Sequence, residues 1–311
     1  MQRKKNIRLL IVFLILLAWT ILLLNMDFNK SRIAIDETKF SIIDTASINK
    51  IALTRNGNSI ILSQEIDGWE VNNKYPVDPS MKDVLMAVLS QVRVIRTVPK
   101  KDIQRIQEEL IDTGYLIEIF QEDGPTTVYL AGGNGISISY FMTPDEVPYV
   151  VQLPGYDSYV AGIFEVSEND WRDRLLFQTS WMGIKEIQFS YPENPEENLS
   201  IISAKNLYEV SGINNLDTTK LMNFLDQISY FYTDQYLSSG QIDSYDSLKG
   251  TKPFLNISID YLGLGNPTEI SLYNRISGEN VILGLINNDQ MCLFNYNRIL
   301  FLFKKKQDFI K

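Results

Sequence analysis

The sequence contains no histidine and only one cysteine, Cys292. Without histidine the chain lacks the commonest general base of neutral-pH chemistry and the commonest metal ligand, and no Ser-His-Asp triad can form. A single cysteine excludes an intramolecular disulfide and a thiolate metal site. Its setting, Met291-Cys292-Leu293-Phe294, reads as a small apolar residue in the core. Positive charge is also in deficit: 29 Lys and Arg face 38 Asp and Glu, for a net charge of −9. No basic stripe follows the first few residues, which argues against nucleic acid as a partner. No catalytic, metal-ligating or cofactor-binding set emerges from these residues, and no cofactor is expected.

What the chain does have is length, apolar content and an internal echo. Its 311 residues, 45% of them hydrophobic, suffice for about two domains with real cores. The stretch 48–92 matches a second one beginning at Ile184. Ile48 and Ile51 align with Ile184 and Ile187, Trp69-Glu70-Val71 with Tyr208-Glu209-Val210, and Asp78 with Asp217. Leu85, Met86 and Leu89 meet Phe224, Leu225 and Ile228, and 115–119 meets 254–258. The offset, about 136 and then about 139, is domain-sized and well beyond a solenoid period of roughly 20–50 residues.

The first thirty residues form a separate segment. Residues 9–24 are almost wholly apolar, and Arg3, Lys4, Lys5 and Arg8 precede them. Roughly 18 apolar residues cross a bilayer core, and the cationic flank would hold the N-terminus inside. The expectation is an uncleaved single-pass anchor in the inner membrane with an extracytoplasmic bulk. No small-x-small cleavage site follows the run, and no lipoprotein cysteine. The expected organisation is a cytoplasmic tip and transmembrane helix over 1–30, a linker over 31–39, a first repeat over 40–178 and a second over 179–311.

Each repeat reads as antiparallel hairpins with one main helix. In the first, Asn56-Gly57 and Asp67-Gly68 are hairpin turns, and Asp78-Pro79 opens a helix with a cap and a first-turn proline. Further turns are expected over 122–125 and 132–135, and a basic segment over 93–105 leads into a short second helix. In the second repeat Asp217 caps a helix over 218–230, an acidic loop over 192–198 replaces the first hairpin turn, and Lys304-Lys305-Lys306 opens a solvated tail. At the junction, Ser167 and Asp170 form a capping-box pattern before Trp171-Arg172-Asp173-Arg174. Trp171, Arg172 and Arg174, together with the aromatics Tyr230 and Tyr232, are the candidate binding residues; Arg and aromatic side chains concentrate interface energy.

Other motifs read as structural. Gly132-Gly133-Asn134-Gly135 lies between strands and lacks the Lys-Ser/Thr and helix of a phosphate loop, and Gly263-Leu264-Gly265 fails likewise. Asp243 and Asp246 do not have calcium-loop spacing. Glu165, Glu168 and Asp170 are the acidic residues that a carboxylate-only hydrolase would draw on.

The anchor, the Ile48-x-x-Ile51-x-Leu53 pattern, the run Asp67-Gly68-Trp69-Glu70-Val71 and the Asp78-capped helix ending near Leu89 together resemble the bacterial membrane-anchored domain of unknown function 4340 family. The likeness is best over 40–177, and Tyr208 stands where the second copy would repeat the Trp. That resemblance implies a neighbour of gliding-motility-type ABC transporter components, with no catalytic residues to carry over. The expected protein is an α+β chain: a transmembrane helix, then two tandem copies of a mainly antiparallel β unit with one main packed helix each. Its expected function is a non-enzymatic binding or scaffold module, an accessory of an ABC-transporter-type envelope complex. Its expected partners are the inner membrane, other envelope proteins and transporter subunits. The alternatives are an envelope hydrolase using paired carboxylates and a sensor that binds a small ligand between the copies.

Overall fold

The computed structural model describes residues 2–27, 35–121, 127–144, 146–204, 207–262 and 266–311. The expected turn over 122–125, residues 263–265 and the first part of the linker (31–34) lie outside them. The chain is α+β with mainly antiparallel sheets. Its elements begin with α1 (Gln2–Asp27), β1 (Ile48–Arg55), β2 (Asn58–Glu65), β3 (Gly68–Val71), β4 (Tyr75–Pro76), α2 (Pro79–Gln91), β5 (Arg93–Thr97) and α3 (Ile103–Thr113). They continue with β6 (Tyr115–Gln121), β7 (Thr127–Gly133), β8 (Ser139–Met142), β9 (Tyr149–Gln152), α4 (Glu168–Trp171) and β10 (Leu175–Gln178). Then follow β11 (Ile184–Ser190), β12 (Leu199–Ala204), β13 (Leu207–Val210), α5 (Thr218–Ile228), β14 (Tyr230–Tyr232), β15 (Gln235–Tyr236) and α6 (Asp243–Lys249). The last are β16 (Leu255–Tyr261), β17 (Thr268–Leu272), β18 (Val281–Ile286), β19 (Gln290–Asn295) and α7 (Tyr296–Ile299).

Two expectations are corrected here. Among the described residues no helix is long and apolar enough to cross a membrane. The side chains of the apolar run in α1 are described over 10–21. The single-pass anchor and the inner-membrane placement expected from it are therefore not supported. The second correction concerns sheet size. The strands form sheets of nine and eight, with a separate two-stranded ribbon, and not two small units with one helix apiece. The reason lies in the pairing of β1, which holds β2 on one edge and β6 on the other, so strands before and after the helix merge.

The chain divides into two compact units, one built from Met1–Ala46, Ala87–Tyr115 and Val128–Gly162, the other from Ser47–Met86, Leu116–Thr127 and Ile163–Lys311. In the first, β7, β8, β9 and β5 lie side by side in that order. Its core contains Val98, Ile106, Leu110, Met142 and Val150, and Phe40 packs edge-on against Tyr129 and Phe141. The turn expected over 132–135 lies further on: Gly132 and Gly133 end β7, and residues 134–138 form the loop, in which Asn134 Oδ1 accepts the backbone N–H groups of Ile136, Ser137 and Ile138 at 2.9–3.0 Å. Those amides, the ones a phosphate would need, are taken by the chain itself.

The second unit holds β4-β3-β2-β1-β6, in that order, and the eight-stranded sheet β13-β12-β11-β16-β17-β18-β19-β15. Asp78 Oδ1 caps α2 through the N–H groups of Ser80 and Met81, and Asp217 Oδ1 caps α5 through Thr219 and Lys220. α5 then packs Leu221, Phe224, Leu225 and Ile228 on the inner face of the eight-stranded sheet, beside Ile187, Ile201, Ile257 and Ile259.

The internal echo extends to topology: β3-β2-β1-β6 recurs as β13-β12-β11-β16, and β7-β8-β9-β5 as β17-β18-β19-β15. Even an irregularity recurs, a register shift between Ile48 and Lys50 and another between Ile184 and Glu186. Ile51 pairs with Ile119 and Ile187 with Ile259, so Ile119 corresponds to Ile259. The sequence match of 115–119 to 254–258 is therefore one residue out of step, an error that in a strand exchanges the two faces. The expected solvated tail is packed as well: Phe309 is buried in the core, Lys305 pairs with Glu197 at 3.2 Å, and Lys306 Nζ donates to the Glu196 carbonyl at 3.2 Å.

Candidate functional site

The junction folds as a short helix whose first turn is closed by its own acid. Asp170 accepts the backbone N–H and hydroxyl of Ser167 at 3.2 and 2.7 Å. Trp171 at the end of α4 is fully buried. Its carbonyl accepts Asp78 N–H at 2.8 Å, and Asp173 N–H returns to the Pro76 carbonyl at 2.7 Å. The segment is thus stitched to the strand that leads into α2.

Arg172 follows, and it is buried, with 6% of its surface exposed. Its guanidinium lies between two tyrosine rings, 3.6 Å from the centroid of Tyr75 and 3.7 Å from that of Tyr236. Nη1 donates to Gln290 Oε1 at 2.8 Å and to Asn169 Oδ1 at 3.2 Å, while Nε is buried with no hydrogen-bond partner among the described residues. A planar delocalised cation suits such a slot, because its faces meet π electrons while its edge donates. Burial pushes the Tyr236 hydroxyl up to about 12, and that hydroxyl donates to the Asp173 carbonyl at 3.0 Å. Trp171 and Arg172 therefore form a clamp and present little surface to a partner.

Arg174, Tyr230 and Tyr232 are brought together on the opposite terms. α5 ends at Ile228, and Tyr230–Tyr232 is not a helix end but strand β14, which pairs with β10. Phe231 turns inward and stacks on Phe294 with ring centroids 5.3 Å apart, which sends Tyr230 and Tyr232 outward. They are 54% and 36% exposed, with centroids 5.9 Å apart. Tyr232 is fixed from behind by Arg298, whose guanidinium carbon lies 4.0 Å from the ring centroid. Arg298 Nη2 donates to the Tyr232 carbonyl at 2.9 Å and to Asp234 Oδ2 at 2.7 Å. Arg174 lies just before β10, is exposed, and makes no ion pair among the described residues; its carbonyl accepts Thr233 N–H at 2.9 Å. The result is a two-stranded ribbon presenting two rigid rings, one ion-paired guanidinium and one free guanidinium.

The acidic candidates have structural tasks. Glu168 accepts from Asn72 Nδ2 at 2.8 Å, Asp170 closes α4, and Asp246 accepts Gly240 N–H at 2.9 Å. Among the described residues no group of three or more His, Cys, Asp or Glu is placed to hold a metal ion. Burial pushes the Cys292 thiol up to about 12, so it stays protonated at neutral pH. Sequence reasoning missed Tyr75, Tyr236, Gln290, Asp234 and Arg298, none of which stands in a motif.

A family model described as a domain of unknown function, DUF4340, matches residues 69–249, more than half of the chain. The chain belongs to this family. The DUF4340 match takes in Tyr75, the whole junction, β14 and Tyr236, and reaches further into the second copy than the resemblance over 40–177; Gln290 and Arg298 fall outside it. No curated protein and no solved structure matches the chain.

Proposed function

We propose that this DUF4340 chain is a protein-binding or scaffold module whose contact surface is the β10–β14 ribbon. The observation that carries the reading is the pair Tyr230 and Tyr232, held open to solvent by Phe231 packing inward and Arg298 stacking behind. Aromatic rings with little rotamer freedom lose little entropy on binding, and Tyr and Arg dominate measured interface energies. The sequence resemblance supports subunits of a gliding-motility-type ABC transporter as the partners.

The test is capture of those subunits by the full-length chain, with the wild type set against Tyr230→Ala/Tyr232→Ala and Arg174→Ala. The double tyrosine variant is expected to lose at least tenfold in affinity at unchanged melting temperature, since each interface anchor contributes roughly 1–2 kcal/mol or more. Equal capture by the variant and the wild type would remove the ribbon from the proposal. A wild-type chain that captures none of them would remove the transporter.

A further inference from the structure

The outer face of the eight-stranded sheet carries a cleft of about 300 Å³ in which Gln188, Ser190, Asn256, Ser258, Glu269 and Asn288 meet. It arises from strand alternation: Ile257 and Ile259 of β16 point into the core, and Asn256 and Ser258 point away. Register sets the outward residues in two rows, Gln188-Ser258-Glu269 and Ser190-Asn256-Ser271, with neighbours about one strand spacing apart. The turn after β18 closes one side. Asn287 and Asn288 both have positive φ, 49° and 59°, and Asn287 N–H bonds to the Glu269 carbonyl at 2.9 Å. Asn288 Nδ2 then donates to Glu269 Oε2 at 2.7 Å and orients that carboxylate. Ser271 donates to Asn256 Oδ1 at 2.7 Å. The side chains of Gln188, Ser190 and Ser258 have no hydrogen-bond partner among the described residues.

The chain contains its own control. By strand register Gln188 corresponds to Ala52, Ser190 to Thr54, Asn256 to Leu116 and Ser258 to Glu118. Ala52 is buried. Thr54 keeps a hydroxyl, but at the other three places the first copy carries neither amide nor hydroxyl, so the shared plan does not require them there. Charged residues do occupy the next row of this face, where Glu186 stands opposite Asp260, but in a chain that is 22% charged the cleft itself is lined by a single carboxylate and no cation. The missing cation disfavours an anionic ligand, and an apolar one finds little to cover, because Ile257 and Ile270 are buried with their side chains on the core side of the sheet. What remains is a dense set of groups that both donate and accept.

We propose that this cleft binds a neutral, hydroxyl-rich ligand, a short saccharide whose hydroxyls pair with Gln188, Ser190, Asn256 and Ser258 while Glu269 accepts from one of them. The site is separate from the ribbon, and its test does not depend on any protein partner. Full-length protein is applied to an array of neutral and anionic oligosaccharides, and the best neutral binder is titrated by calorimetry. Retention of neutral glycans is expected, with affinity reduced at least tenfold in Gln188→Ala/Asn256→Ala and abolished in Ser258→Phe, which fills the cleft. Tyr230→Ala/Tyr232→Ala should bind as the wild type does. Melting temperatures of the variants establish that they are folded. Retention of anionic glycans alone, retention of none, or wild-type affinity in a folded Gln188→Ala/Asn256→Ala variant would each overturn the proposal.

Discussion

Arg172 sits out of water between the rings of Tyr75 and Tyr236, with Nη1 bonded to Gln290 and Asn169. Arg172→Ala removes two desolvated cation–π contacts and leaves a slot, so unfolding in urea should show a loss of about 2–4 kcal/mol. Arg172→Lys should recover little of it, because an ammonium cannot lie flat between two rings. A lysine variant as stable as the wild type would show that charge alone matters there. The sequence marks this residue through its neighbours, the capping box and the tryptophan. Its burial is not legible, because Tyr75, Tyr236 and Gln290 come from distant strands and no periodicity links them. Titration adds a second expectation. Burial raises Tyr236 and Cys292 to about 12 in the folded chain, above their unfolded values of roughly 10 and 8.5. Both contribute stability that is fully present below about pH 8.5 and is lost as pH climbs towards 12. Thermal melts from pH 8 to 12 should fall steadily, and a flat profile would remove these groups from the account.

At the scale of elements, hairpin chemistry and helix caps were readable, and strands without alternation were not. Asn56-Gly57, Asp78 and Asp217 stand where their side-chain chemistry places them, with Asn56 and Gly57 both at positive φ. β10 and β14 escape pattern reading because one is a short apolar run and the other an all-aromatic triplet. Only their mutual pairing defines them. β18 shows how a single small residue serves a sheet. Gly284 lies opposite Cys292, and a methyl group there would come within 2.4 Å of the Phe294 ring. Phe294 stacks on Phe231, the residue that turns the ribbon's tyrosines outward. Gly284→Ala should therefore lower stability by about 1–3 kcal/mol through overpacking and also weaken partner capture. Denaturation and capture measured on the same variant test both effects, and an alanine tolerated in both would show that the ring has room to move.

For the whole molecule, the strongest regularity is a strand order used twice, down to a bulge at the same place. The duplication was legible where branched and aromatic residues anchor it. It slipped by one residue at β6 and β16, where the match set Ile117 and Ile119 against Asn256 and Ser258 while one added residue in the second copy puts Ile257 and Ile259 at their places. Native-state hydrogen exchange should expose the same duplication energetically. The amides of β1 with β6 and of β11 with β16, flanked on both sides, should exchange most slowly, and those of β4, β13 and β15 quickly. Edge strands outlasting the central pairs would contradict that hierarchy.

The segment after β19 adds a temporal consequence. Phe309 fills the core beside Phe224, its carbonyl accepts Asp217 N–H at 2.7 Å, and Lys311 N–H reaches the Asn215 carbonyl. During synthesis α5 leaves the ribosome about 80 residues ahead of Phe309, so that part of its apolar face stays uncovered, or chaperoned, until the segment after β19 emerges and locks it in place.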